Sequence, residues 1–306
     1  MKISVIGAGN VGGLTAMRIA QEGLGNVVVI DVVPGLAKGK AFDLDDSQIL
    51  LNRNYSVVGT DDISAIKDSQ IIVITAGLAR KPGMTREDLL KYNAQLLKSI
   101  CEKIKILSAN AIVIMVTNPL DVMTYYAVKT LRFKTNKVFG VGVTLDGARF
   151  ANLIGQELRI PPMQILPCVI GSHGEAMLPL PRFTLVNDKP LTEVLQRQKI
   201  EELVKRTVER GKEIVSLLGS GSAYFAPSAA IMQIVKAVVK DEKSISGVSA
   251  YLNGEYGIKD ICIGVTCVLG KAGIEKIMEL DLNLEEKEKF LRSVESIREL
   301  TKLLNI

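Results

Sequence analysis

The chain has 306 residues, 47% hydrophobic and 23% charged, a globular composition without a disordered tail and longer than one core usually holds. Its net charge of +5 is spread over interspersed charges of both signs, with no basic stripe or arm of the kind that grips nucleic acid. The longest apolar run, at residues 111–116, is too short to span a bilayer, and the four cysteines form no CxxC pair that would indicate a metal site or disulfide framework.

In chain order, the first residues run straight into a strand and a glycine turn, which reads as no signal peptide and a cytoplasmic protein. Short apolar runs at residues 3–6, 27–30, 56–58, 71–74, 111–116 and 138–141 read as strands, most of them buried on both faces. Leu89, Leu90, Asn93, Leu96, Leu97, Ile100 and Ile104 recur at helical period and predict a helix over 86–107. Strand and helix in alternation imply a right-handed parallel sheet with helices on both faces. The acidic cluster at residues 43–46 lacks the spacing of a calcium loop and reads as a solvated helix face.

The pattern changes after about residue 143. Pro161-Pro162 stops a helix, and strands are expected at 165–170 and 183–186 with an Asn187-Asp188 turn. Helices follow at 200–217 and 223–240, strands at 244–251 and 261–269, and a last helix turning Leu291, Val294, Ile297 and Leu300 inward. The expected architecture is α/β: a doubly wound, Rossmann-type parallel sheet over residues 1–143, then a mixed α+β domain over 144–306 that takes the substrate.

Gly7-Ala8-Gly9-Asn10-Val11-Gly12 follows a strand and opens a helix. A lone GxGxxG also occurs in ordinary turns, but in this context Gly7 permits the tight turn, Gly9 lets a pyrophosphate approach, and Gly12 seats the helix on the sheet. Asp31 ends the second strand 19 residues after Gly12, where a carboxylate accepts ribose hydroxyls and repels a 2′-phosphate; this favours NAD over NADP. Gly13 stands where a P-loop needs lysine. The only histidine, His173, follows a strand and precedes Gly174. A lone histidine is commonly structural, but this one is the single side chain suited to exchanging an alcohol proton near neutral pH. Asp146 can orient it, with Arg149 one helical turn on. Arg80 and Arg86 lie in a glycine-containing loop after the fourth strand, where bidentate cations could close over a carboxylate.

This ordered set resembles the malate dehydrogenases of the lactate/malate dehydrogenase superfamily over nearly the whole chain. The resemblance implies reversible oxidation of (S)-malate to oxaloacetate with hydride transfer to NAD and His173 as proton acceptor. It further implies that Asp146 partners His173, Arg149 holds the C1 carboxylate, Arg86 polarises the C2 carbonyl, and Asn118 bonds substrate near the nicotinamide. Arg80 matches the position that separates malate from lactate enzymes. Expected cofactor contacts are Gly7, Gly9, Asn10, Val11, Gly12, Asp31, Thr75, Ala76, Gly77, Asn93, Val116 and Asn118, with no metal. A homodimer or homotetramer is implied, with no nucleic-acid or membrane partner. The alternative is a lactate-type or broader 2-hydroxy acid dehydrogenase. Ser172, Glu175, Gly147 and Ala176 depart from the more usual family residues, which bears on affinity and rate.

Overall fold

The computed structural model describes residues 1–78 and 85–304, with Arg86 described in its backbone alone. Its first half alternates β1 (Lys2–Ile6), α1 (Asn10–Gln21), β2 (Asn26–Ile30), α2 (Leu36–Leu51), β3 (Val57–Thr60), β4 (Ile71–Ile74), α3 (Arg86–Leu107), β5 (Ile112–Met115), α4 (Leu120–Leu131) and β6 (Val138–Gly140). The runs that form β4 and β5 are Ile/Val-rich and buried at every residue, as strands covered on both faces must be. The six strands are parallel neighbours in the order β3-β2-β1-β4-β5-β6. Chain direction across the sheet reverses between β1 and β4, which opens a crevice at their carboxyl ends. The expected helix at 86–107 has those bounds. Its first turn is fixed by a capping box in which Asp88 N–H donates to the Thr85 hydroxyl and Thr85 N–H to the Asp88 carboxylate.

The second half comprises α5 (Val143–Leu158), β7 (Ile165–Leu166), β8 (Val169–Gly171), β9 (Met177–Pro179), β10 (Leu185–Val186), β11 (Lys189–Pro190), α6 (Leu191–Val194), α7 (Arg197–Leu218), α8 (Phe225–Val239), β12 (Ser244–Asn253), β13 (Lys259–Gly270), β14 (Gly273–Ile277) and α9 (Leu284–Lys302). It continues the first sheet: β12 pairs antiparallel with β6 through Ser249 and Gly140, and β13 carries β8 and β14. A core cluster accordingly runs from the first half into the β12–β13 hairpin, while α5, α7 and β7–β9 contribute to a second.

Three expectations are corrected. The strand anticipated at 165–170 is two strands, because Pro167 lacks the N–H a central ladder needs; β7 joins a small sheet with β10, and β8 joins the large one. The strand anticipated at 183–186 starts later, after a 3₁₀ turn over Pro181–Phe183. In α9 the larger Phe290 takes the buried stripe with Ser293, Val294 and Ile297, and Leu291, rotated off that stripe, is 42% exposed. The Asn187-Asp188 turn has both residues at positive φ (46° and 65°), the geometry of a two-residue hairpin.

Candidate active site

The glycine turn sits at the carboxyl end of β1. A Cβ on Gly12 would lie 1.8 Å from the Gly7 carbonyl oxygen, and one on Gly7 would meet Thr75 and Ala76 at 2.7 Å, so both glycines are demanded by the protein's own packing. Gly9 differs: its Cβ would meet nothing within 4 Å, although its φ of −62° suits any residue. The open space above Gly9, at the N-terminus of α1 where backbone N–H groups stand unpaired, fits a phosphate group of a dinucleotide. Asp31 at the end of β2 braces this turn, accepting from Ala8 N–H (2.6 Å) and Val33 N–H (3.0 Å). Lys40, from α2, donates to the Gly9 carbonyl at 3.2 Å and adds a cation at the turn that sequence reasoning did not single out.

Next along the carboxyl edge, the Thr75 hydroxyl donates to the Ile6 and Gly7 carbonyls (3.2 and 3.0 Å), locking the ends of β1 and β4 together. Ala76 and Gly77 follow, and the Thr117 hydroxyl donates to the Ala76 carbonyl at 2.6 Å. Asn93 is 1% exposed; its amide oxygen accepts from Leu78 N–H and its amide nitrogen donates to the Asn118 carbonyl, both at 2.9 Å. It therefore ties α3 to both loops. Val116 is half-buried, and Asn118 is exposed at the same edge. Asn10 and Val11 form the first turn of α1.

The second half supplies the titratable groups. Asp146, in the first turn of α5, is fully buried, and a buried carboxylate needs partners. It has two: His173 Nδ1 at 2.7 Å and Arg149 Nη1 at 3.1 Å. Nδ1 contact with a carboxylate fixes the neutral tautomer with its acceptor at Nε2, which bonds to no described residue. Burial pulls the His173 pKa down, but the Asp146 charge and hydrogen bond, reinforced by Asp121, outweigh it and the pKa is raised. Arg149 is largely buried, lies close to Gly211 of α7, and its Nε has no hydrogen-bond partner. A buried guanidinium with an unsatisfied N–H suits an anion with carboxylate geometry.

This arrangement places a titratable imidazole beside a largely buried cation, joined through one carboxylate. Two surface hollows lie elsewhere, one beside Tyr125 and Tyr251 and the other beside Met163 and Leu185. Arg80 lies outside the described residues, and the structure gives Arg86 only as the first residue of α3. Sequence reasoning missed Thr117, Ser293 and Asp121, the last signalled by an Asp two residues after Pro119 at a helix start, and noted Ser172 only as a departure from the usual family residue. The acidic residues 43, 45 and 46 are exposed on α2, and among the described residues no group of three or more His, Cys, Asp or Glu could hold a metal ion.

Residues 1–140 match the lactate/malate dehydrogenase NAD-binding domain family, and residues 143–305 match the lactate/malate dehydrogenase α/β C-terminal domain family. The chain is 47% identical to a malate dehydrogenase of Methanosarcina barkeri, covering 100% of this chain and 99% of that protein. It superposes on a malate dehydrogenase of Cryptosporidium parvum with a TM-score of 0.96 and 38% identity, covering 99% and 98% of the two chains. A lactate dehydrogenase of the same organism, solved with lactic acid and β-nicotinamide adenine dinucleotide, gives a TM-score of 0.95 and 36% identity over 99% and 98%.

The glycines separate packing from ligand approach. Gly9→Ala is expected to leave thermal unfolding of the free protein unchanged while weakening NADH binding by at least about tenfold, since a side chain there occupies ligand space. Gly12→Ala is expected to lower the unfolding midpoint, because its Cβ meets backbone. Calorimetry and NADH fluorescence titration check both.

Proposed function

The chain belongs to the lactate/malate dehydrogenase family, and from that premise we propose how its own residues carry out the NAD-dependent interconversion of (S)-malate and oxaloacetate. The observation that carries the proposal is the Asp146 carboxylate held by both His173 and Arg149, beneath an Arg149 Nε left without a partner. Residues 1–143 form the cofactor-binding domain and residues 144–306 the substrate domain, the first also lending Arg80, Arg86 and Asn118 to the substrate. Bound NAD supplies the acceptor, and in reverse the donor, of the C2 hydride.

His173 Nε2 takes the malate hydroxyl proton, while Asp146 holds Nδ1 and stabilises the resulting imidazolium. Arg149 binds the C1 carboxylate through its free N–H. In the reducing direction the protonated ring returns its proton to the developing alkoxide, with Arg86 polarising the carbonyl. Asn118, exposed at the end of β5, bonds substrate beside the nicotinamide. Gly9, Asn10 and Val11 receive the pyrophosphate, and Asp31 takes the ribose with acceptor capacity beyond its two backbone bonds. Gly7, Gly12, Thr75, Ala76, Gly77, Asn93 and Val116 shape the cofactor bed; Asn93 does so by fastening its two loops.

Arg80 selects the dicarboxylate by pairing the second carboxylate of oxaloacetate. Pyruvate leaves that cation desolvated and unpaired, at a cost of about 2–5 kcal/mol. The lactate-type alternative lacks this requirement. The four free cysteines fit a reducing compartment, and we assign the enzyme to the cytoplasm. No helix among the described residues is long and apolar enough to cross a membrane. Ile49 and Leu50 on α2 are each 85% exposed, an apolar face that a second copy of the chain covers in a homodimer or homotetramer.

Oxaloacetate is expected to be reduced with a kcat/KM roughly 30- to 3,000-fold above that of pyruvate, and Arg80→Gln to erase most of the difference. NADH oxidation under matched conditions measures it, and equal rates in the unaltered protein would overturn the assignment. Because neutral His173 accepts the proton and its pKa is raised, kcat/KM for malate should rise with pH through a midpoint above 6.5, and that for oxaloacetate should fall through the same range. In sedimentation the protein is expected above monomer mass, and Leu50→Asp to shift it toward monomer.

A further inference from the structure

Asp121 is a second buried carboxylate, 3% exposed, in the first turn of α4. It lies three residues past Asn118 on the segment that ends β5, so it belongs to the cofactor half of the chain. Its contacts belong to the other half. Oδ2 accepts from the His173 backbone N–H at 2.8 Å and from the Ser172 hydroxyl at 3.2 Å, and Oδ1 accepts from the Ser249 hydroxyl of β12 at 2.6 Å. The Ser249 bond is buried and the other two are part-buried; the donors come from two segments, the loop after β8 and strand β12.

The loop that Asp121 holds has few other anchors. Ser293 of α9 accepts from Ser172 N–H at 2.7 Å and donates to the Ala176 carbonyl at 2.7 Å, closing the loop at its two ends. Gly171 before it and Gly174 within it both have positive φ (90° and 122°), conformations that leave the backbone free to turn. Among the described residues the His173 ring is fastened only at Nδ1, by Asp146. Placing Nε2 also requires a fixed Cα, and the His173 backbone N–H is held by Asp121.

We propose that Asp121 is a positioning residue for proton transfer: from the cofactor half, it clamps the backbone of His173 so that Nε2 meets the substrate hydroxyl. This rests on His173 being the proton carrier. A contact a few tenths of an ångström out of place at a proton donor weakens general acid–base catalysis steeply, because transfer requires hydrogen-bond reach. The link also connects Asn118 and His173, the substrate contacts of the two halves, through a single helical turn.

A second consequence follows from charge. The groups facing His173 are Asp146 and Arg149 from α5 and Asp121 from α4, while Glu175 of its own loop is paired with Lys212 of α7. Burial pushes the Asp121 carboxyl up; the Ser249 hydroxyl and the His173 N–H oppose that by stabilising the anion, as does the α4 N-terminus. As an anion, Asp121 helps hold the imidazolium, so its removal lowers the His173 pKa.

The test compares Asp121→Ala, Asp121→Asn and His173→Asn. Asp121→Ala is expected to lower kcat by on the order of 100-fold while NADH affinity stays within about twofold. Asp121→Asn retains an acceptor oxygen for His173 N–H and is expected to recover at least about tenfold of that loss. The chain's single histidine gives one imidazole signal in NMR, and its titration midpoint is expected to fall in both Asp121 variants. A kcat for Asp121→Ala within threefold of the parent, a loss confined to NADH affinity, or an unmoved titration would overturn the inference. Should the variants fail to fold, hydrogen exchange on the unaltered protein decides: His173 N–H should exchange at least about 100-fold more slowly than Gly174 N–H, and equal rates would refute the clamp. An active His173→Asn would sink the proton-carrier reading itself; an inactive one beside an active Asp121→Ala would sink only the role of Asp121.

Discussion

A carboxylate with no access to water is stable only when its surroundings replace the hydration it has lost, and Asp146 meets that condition with an imidazole on one oxygen and a guanidinium on the other. Much of the second half can be understood from this pair of contacts. Asp146 and Arg149 must share one face at the start of α5, so the helix begins immediately after β6, at Gly142, whose Cβ would press on Leu120 at 2.8 Å. α7 passes close to the guanidinium at Gly211, where a Cβ would lie 3.5 Å from Nη1, in ordinary van der Waals contact. His173 must arrive from a different strand, β8, which reaches it only because β13 carries β8 next to the hairpin that extends the first sheet.

The first half solves a different problem, presenting polar backbone at the ends of buried strands. Most groups proposed to receive the cofactor stand at the carboxyl ends of parallel strands: the glycine turn after β1, Asp31 after β2, Thr75 to Gly77 after β4, and Val116 to Asn118 after β5, with Asn93 reaching in from α3. Side chains of small reach, Thr75, Thr117 and Asn93, fasten those ends to one another. Parallel pairing staggers no strand by more than its register allows, so the edge forms a continuous bed, and the opening between β1 and β4 receives a ligand that spans it.

The two halves meet without a linker. Antiparallel pairing of β12 with β6 makes the second half a continuation of the first half's sheet, and the core crosses with it. This continuity lets a residue such as Asp121, at a helix start in the cofactor half, bond to the backbone of a loop from the substrate half. Rigid coupling of this kind is what proton and hydride transfer to adjoining atoms of one substrate requires.

The amino-acid sequence by itself determined the parallel β/α alternation, the glycine turn with Asp31, and the candidacy of His173, Asp146 and Arg149, which the structure brings into contact. Period, spacing and residue type are local properties, legible wherever hydrophobic burial or a functional group permits few alternatives. The tertiary structure decided that Pro167 divides one apolar run between two sheets and that Phe290 rather than Leu291 enters the core. It also decided that Asn93 fastens two loops and that Asp121 reaches His173. These depend on which distant segment lies opposite, 51 or 52 positions away for the contacts of Asp121 with Ser172 and His173. A carboxylate at a helix start looks the same in sequence whether it caps its own helix or holds another strand's loop, because the partner is chosen by packing, not by neighbours along the chain.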